Sequence, residues 1–192
     1  MKLQRTFMIF SVLIVLSITG CGNEGDPGNG NTVYFQSSIK SATTGAIFAN
    51  ISGNSIDAMT ILSGPNNMSF TLQSYVYTHS TTIPSSDIDI KRIDFAFTPL
   101  EYEPGKTSPK FTPTFKSILY SGRLTPAGSL NIENVPILYG YDLQQIFDET
   151  NTALIDDKIL KYQVDVTFTG TEVNTGVSLS NTINVTAFVD VR

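Results

Sequence analysis

The chain has 192 residues, with 12 Lys and Arg against 17 Asp and Glu, one His and one Cys. An acidic balance disfavours nucleic acid, whose phosphates need a basic patch, and a single Cys excludes an intramolecular disulfide. One histidine gives a zinc site or a Ser-His-Asp triad at most one imidazole.

The first 21 residues carry Lys2 and Arg5 near the start and a nearly unbroken apolar run from Phe7 to Ile18. The run is too short to span a bilayer, which takes ~20 apolar residues, and matches the hydrophobic region of a signal peptide. It ends at Ile18-Thr19-Gly20-Cys21. This tetrapeptide resembles the lipobox of bacterial lipoproteins: an aliphatic residue, two small residues and a Cys. The resemblance covers residues 1–21 alone. It implies that Ile18, Thr19 and Gly20 are read by the signal peptidase and that residues 1–20 are removed. Cys21 then carries a covalent diacylglycerol, the one non-protein group implied. One acyl chain binds membranes weakly, so the two or three chains of that family make the anchoring durable. The implied location is the cell envelope. In a Gram-negative host, Gly22 in place of Asp after the Cys directs the protein to the outer membrane.

Residues 22–31 are Gly, Asn, Glu, Asp and Pro, with nothing able to enter a core, and read as a flexible tether. Removing Lys2 and Arg5 leaves 12−2=10 basic against 17 acidic residues, about −7. That argues against docking on anionic lipid through Lys and Arg.

Residues 32–192 form one expected domain of β composition. Alternation is clear in Met68–Tyr77 and clearest in Leu160–Phe168, where even positions are apolar and odd ones polar. In Val177–Val191 the odd positions are apolar apart from Asn181, and a turn near Asn174-Thr175-Gly176 joins the last two runs as a hairpin. Ile88 and Ile90 are even whereas Ile93, Phe95 and Phe97 are odd, which requires a β-bulge near Lys91-Arg92. Weaker strands are expected at Val33–Ile39, Ala46–Ile51, Ser55–Leu62, Phe115–Leu124 and Ser129–Leu138. One short helix is expected over Asp142–Glu149, with Asp142 as cap, Gln145 completing a capping box, and Leu143, Ile146 and Phe147 as its apolar stripe. About eight strands and short turns indicate an all-β, antiparallel β-sandwich, Ig-like or fibronectin-III-like.

His79 lies in a polar connector, and no G-x-S-x-G surrounds a serine. Asp87/Asp89, Glu101/Glu103, Asp148/Glu149 and Asp156/Asp157 are paired acids, yet no D-x-[DN]-x-[DN]-G calcium loop is present. No catalytic residue and no metal ligand is therefore assigned. Thr98–Pro113 holds four prolines and reads as a stiff loop that resists regular pairing, with Tyr102 and Phe111 as a candidate aromatic contact. Tyr75 and Tyr77 fall on the face opposite Phe70 and Leu72, a second candidate patch. The expected function is a membrane-anchored, non-enzymatic binding or structural module facing an envelope protein or glycan. The alternatives are an envelope glycan hydrolase using a carboxylate pair and a calcium-stabilised adhesion-like domain.

Overall fold

The computed structural model describes residues 32–40, 46–52, 60–62, 67–77, 84–110, 115–153 and 158–191. The lipobox, the tether, His79, Phe111 and the pair Asp156/Asp157 lie outside the described residues.

Among the described residues the order is β1 (Val33–Ile39), β2 (Ala46–Ser52), β3 (Thr60–Leu62), β4 (Asn67–Val76), β5 (Ile88–Glu103), β6 (Lys106–Thr107), β7 (Phe115–Leu124), β8 (Ser129–Pro136), α1 (Gly140–Thr152), β9 (Lys158–Glu172) and β10 (Ser178–Val191). They form an all-β sandwich. A three-stranded sheet runs β1-β4-β8; a seven-stranded sheet runs β3-β2-β10-β9-β5-β6, with β7 also on β5. Every pairing is antiparallel except β2 with β10.

Period-two alternation decides which face goes inward. On β9, Leu160, Tyr162, Val164, Val166 and Phe168 have no exposed surface. On β4, Met68, Phe70 and Leu72 are buried. The two inner faces meet where Phe70 sets its edge against Phe168, centroids 5.2 Å apart at 67°. The hairpin of β9 and β10 closes at Gly176, whose φ of 70° suits glycine.

The parity change in β5 is resolved by an extra residue. Both ladders of β5 shift between Ile90 and Arg92, so Lys91 is the bulge and Ile88, Ile90, Ile93, Phe95 and Phe97 all point inward. A second irregularity, not visible in the alternation, lies in β8. There Glu133 and Asn134 both stand against Ser69, and Asn134 takes a φ of 54°.

The helix begins two residues earlier than the sequence reading placed it. Asp142 is not the cap: its Oδ2 reaches back to accept the Tyr139 N–H at 2.8 Å, the role of the third helical residue in a capping box. Gln145 instead donates to the Tyr141 hydroxyl. Leu143, Ile146 and Phe147 are buried as expected.

Gly170, on the inward series of β9, lies beneath the bulge. A Cβ there would stand 2.8 Å from Ile88 Cγ2, 2.9 Å from Ile90 Cδ1 and 3.0 Å from the Asp89 carbonyl oxygen. Gly170→Ala should therefore destabilise the domain by about 1–3 kcal/mol through overpacking. Urea denaturation checks it, and an unchanged midpoint would show that the bulge yields freely.

Candidate functional site

Tyr102, assigned from the sequence to a stiff loop that resists regular pairing, is half-buried on β5 and packs against the core. From Thr98 to Lys110, its described part, the proline-rich stretch is sewn into the large sheet. β5 continues through Pro99 to Glu103, Gly105 turns the chain at a φ of 74°, and β6 pairs back. Pro99 is tolerated because, on the β7 edge of β5, the ladder ends at Ala96. Among the described residues no strand on that edge requires its missing N–H. Ser108 Oγ accepts the Lys161 N–H at 2.9 Å, and the buried Tyr162 hydroxyl donates to the Pro109 carbonyl at 2.9 Å.

Of the described acid pairs, Asp87, Asp89 and Glu103 are held by cations, whereas Glu101 on β5 and Asp148 and Glu149 on α1 are exposed. Asp87 and Asp89 lie on one side of the chain and both face Arg123, at 3.7 and 2.9 Å. A surface pocket at the bulge is lined by Asp89, Lys91, Tyr120 and Arg123. Glu103 sits between Lys106 and Lys158, at 2.8 and 2.6 Å. The hydrogen bond from Lys106, then that from Lys158, holds its carboxyl down at about 2, from the ordinary 4.5. Asp148 and Glu149 are exposed on α1.

Lys116 on β7 is largely buried. Its Nζ lies 2.5 Å from Asp142 Oδ2 and 4.2 Å from the ring centre of Tyr139. Burial pushes the ammonium below its usual pKa, and the hydrogen bond it donates to Asp142 opposes this. The arrangement pins the first turn of α1 to the sheet.

The sandwich is closed at one end by a carboxylate with no exposed surface. Glu172 continues the inward series of β9 beyond Phe168 and Gly170. Its Oε2 accepts the Thr32 N–H at 3.0 Å and the Thr175 hydroxyl at 2.9 Å. Its Oε1 accepts the Thr32 hydroxyl and, at 3.3 Å, that of Ser86. One side chain thus joins the residue that leads into β1, the approach to β5 and the β9–β10 turn. The sequence signal was an acid in phase with the dry positions. Asn181, the polar exception on β10, makes the corresponding tie further in: its Oδ1 accepts the Ser37 N–H at 2.8 Å and also the Ser37 hydroxyl.

These two ties fix β1, in the small sheet, against the large sheet and turn its other face outward. That face carries Tyr34, directly opposite Tyr75 in the β1–β4 register. The Tyr34 and Tyr75 rings stack at 5.1 Å and 18°, and Tyr77 lies against Tyr34 at 4.9 Å. Tyr75 is 39% exposed, whereas Tyr34 and Tyr77 are partly covered. The sequence reading named Tyr75 and Tyr77; Tyr34 was missed because only the register brings it to them. Further along the same face stand Gln36, Ser38, Thr71, Gln73, Ser129 and Asn131, none of them charged. Lys40 and Glu133 form an ion pair at the far end. Aromatic rings beside neutral amides and hydroxyls can hold a ligand by apolar contact and hydrogen bonding, without charge recognition.

Comparison with protein-family profiles, with curated proteins and with solved structures finds no match for this chain.

Removing the buried carboxylate leaves buried hydroxyls and an N–H without an acceptor. Glu172→Ala should cost about 3 kcal/mol in urea denaturation, since hydrogen bonds to charged groups contribute about 1.5–3 kcal/mol each and losses are partly relaxed. A cost below the scatter of surface substitutions would show that water replaces the carboxylate there. Glu103 should titrate near 2 by carboxyl NMR. Because its folded pKa is depressed, its contribution to stability is present above the unfolded value near 4.5 and lost as pH falls toward 2. A midpoint near 4.5 would mean that the two lysines do not hold it in solution.

Proposed function

We propose that this chain is a lipid-anchored lipoprotein of the bacterial envelope whose β-sandwich acts as a non-enzymatic binding module. Cys21 is the lipidated residue, residues 1–20 are the signal peptide and residues 22–31 are the tether. In a Gram-negative host the destination is the outer membrane.

The observation that carries this reading is the place of the aromatic face relative to the tether. Tyr34 stands two residues beyond Thr32, the first described residue, and Tyr77 donates its N–H to the Thr32 carbonyl at 3.0 Å. An outward cluster of three tyrosines on a sheet that already has its inner face filled has no role in closing the core. Aromatic side chains so placed are suited to contact with a second body. Of the described paired acids, Asp87, Asp89 and Glu103 are engaged with arginine or lysines, and Glu101, Asp148 and Glu149 are exposed, an arrangement in keeping with binding over acid–base chemistry.

Cys21→Ser in the native host tests the anchor, because thioether formation requires the sulfur. The variant should retain its signal segment, migrate as the longer precursor and lose the acyl modification by mass spectrometry. If it matures to the wild-type size and still partitions into the detergent phase, the anchoring is wrong.

A further inference from the structure

We infer that the Tyr34–Tyr75–Tyr77 cluster is a docking surface for the lipid headgroup layer to which the chain is anchored. The inference rests on the proposed lipidation of Cys21 and names the partner of the aromatic face.

Chain length sets the geometry. Thr32 is eleven residues beyond Cys21. A Gly-rich segment of that length has a root-mean-square span of roughly 15–20 Å and a limit of roughly 40 Å when fully extended. β9 alone, with 15 residues, is about 50 Å long at 3.3 Å per residue. The tether therefore holds one end of the sandwich near the lipid and leaves the other end far from it. The near end contains the start of β1 and the ends of β4 and β9, brought together by Thr32 and Glu172. The tyrosines lie there, as do Val76 and Val173, 39% and 47% exposed.

The chemistry of the near end suits the headgroup zone. Tyrosine presents an apolar ring and a hydroxyl, and it concentrates at membrane interfaces for that reason. The mature chain, at about −7, carries a net charge that anionic headgroups repel. The neutral amide and hydroxyl strip beside the tyrosines avoids that repulsion. On the large sheet at the same end, Asp87 and Asp89 are both engaged by Arg123. Contact there adds to the acyl anchor and fixes the orientation of the sandwich on the membrane.

The experiment uses the full lipidated protein in vesicles of phosphatidylethanolamine and phosphatidylglycerol, with part of the acyl chains brominated close to the headgroup. The chain has eight tyrosines and no tryptophan, so tyrosine emission reports directly. Bromination should remove up to the share of emission carried by three of those eight tyrosines. A Tyr34→Ser/Tyr75→Ser/Tyr77→Ser variant should still float with vesicles but lose that quenching. In the unsubstituted protein, vesicles should also slow nitration of Tyr34, Tyr75 and Tyr77 relative to a soluble chain produced directly from residue 21 onward with Cys21→Ser. Tyr141, 66% exposed on α1, serves as the unaffected reference in the same digest. A protein that floats without quenching, or with equal nitration of all four tyrosines, overturns the docking and leaves the anchor standing. A protein that does not float overturns the anchor and the docking with it. If a soluble neutral β-glucan protects the three tyrosines in the absence of vesicles, the face is a glycan site and the lipid assignment fails.

Discussion

One buried carboxylate organises the end of the sandwich from which everything functional is measured. Glu172 has no exposed surface and is held by the Thr32 backbone N–H and three hydroxyls, from Thr32, Thr175 and Ser86. A charge taken out of water costs several kcal/mol unless hydrogen bonds replace its hydration. Glu172 meets that cost by drawing in three separate segments, and in doing so it fixes where the chain enters β1. Asn181 repeats the device one step further along, tying Ser37 of β1 to β10. The two polar ties span the two sheets at β1, while the apolar contact between them is carried by such pairs as Phe70 and Phe168.

From that constraint the rest follows in order. With β1 fixed at Thr32 and Ser37, its partner β4 takes the register that places Tyr34 opposite Tyr75. The inner face is then filled by Val33, Phe35, Phe70 and Leu72, and the tyrosines have no way into the core. An aromatic cluster is thereby held on a rigid sheet within a short tether's length of Cys21, the residue proposed to be lipidated. Rigid placement lowers the entropic cost of contact, and this gives the outer face its part in the proposed binding function.

Much of the fold was legible because a strand with one dry face writes its orientation into alternate residues. β1 and β7 have the bounds read from the sequence, and the bulge at Lys91 follows from the parity of five apolar side chains. The helix start was displaced because Asp142 serves equally as a cap or as a residue reaching back to one, and the sequence does not distinguish them. The proline-rich stretch was misread because a proline forbids pairing on one edge of a strand only, and which edge is open depends on β6 and β7. The functional face was half legible: Tyr75 and Tyr77 share a strand, whereas Tyr34 joins them through a pairing between residues 41 apart. Glu172 and Asn181 appeared as exceptions in otherwise apolar series, and such exceptions in phase with a core face mark buried polar ties.

The most direct test of this account is native-state hydrogen exchange at Thr32 and Tyr77, compared with Phe168 in the centre of β9. In the wild-type protein, the Thr32 and Tyr77 amides should exchange as slowly as the core, because the carboxylate holds Thr32 in place. In a Glu172→Gln protein they should exchange much faster while Phe168 stays protected. Equal protection of Thr32 in both proteins would mean that β1 is placed by its ladder with β4 alone. The carboxylate would then not be the constraint on which this end of the sandwich depends.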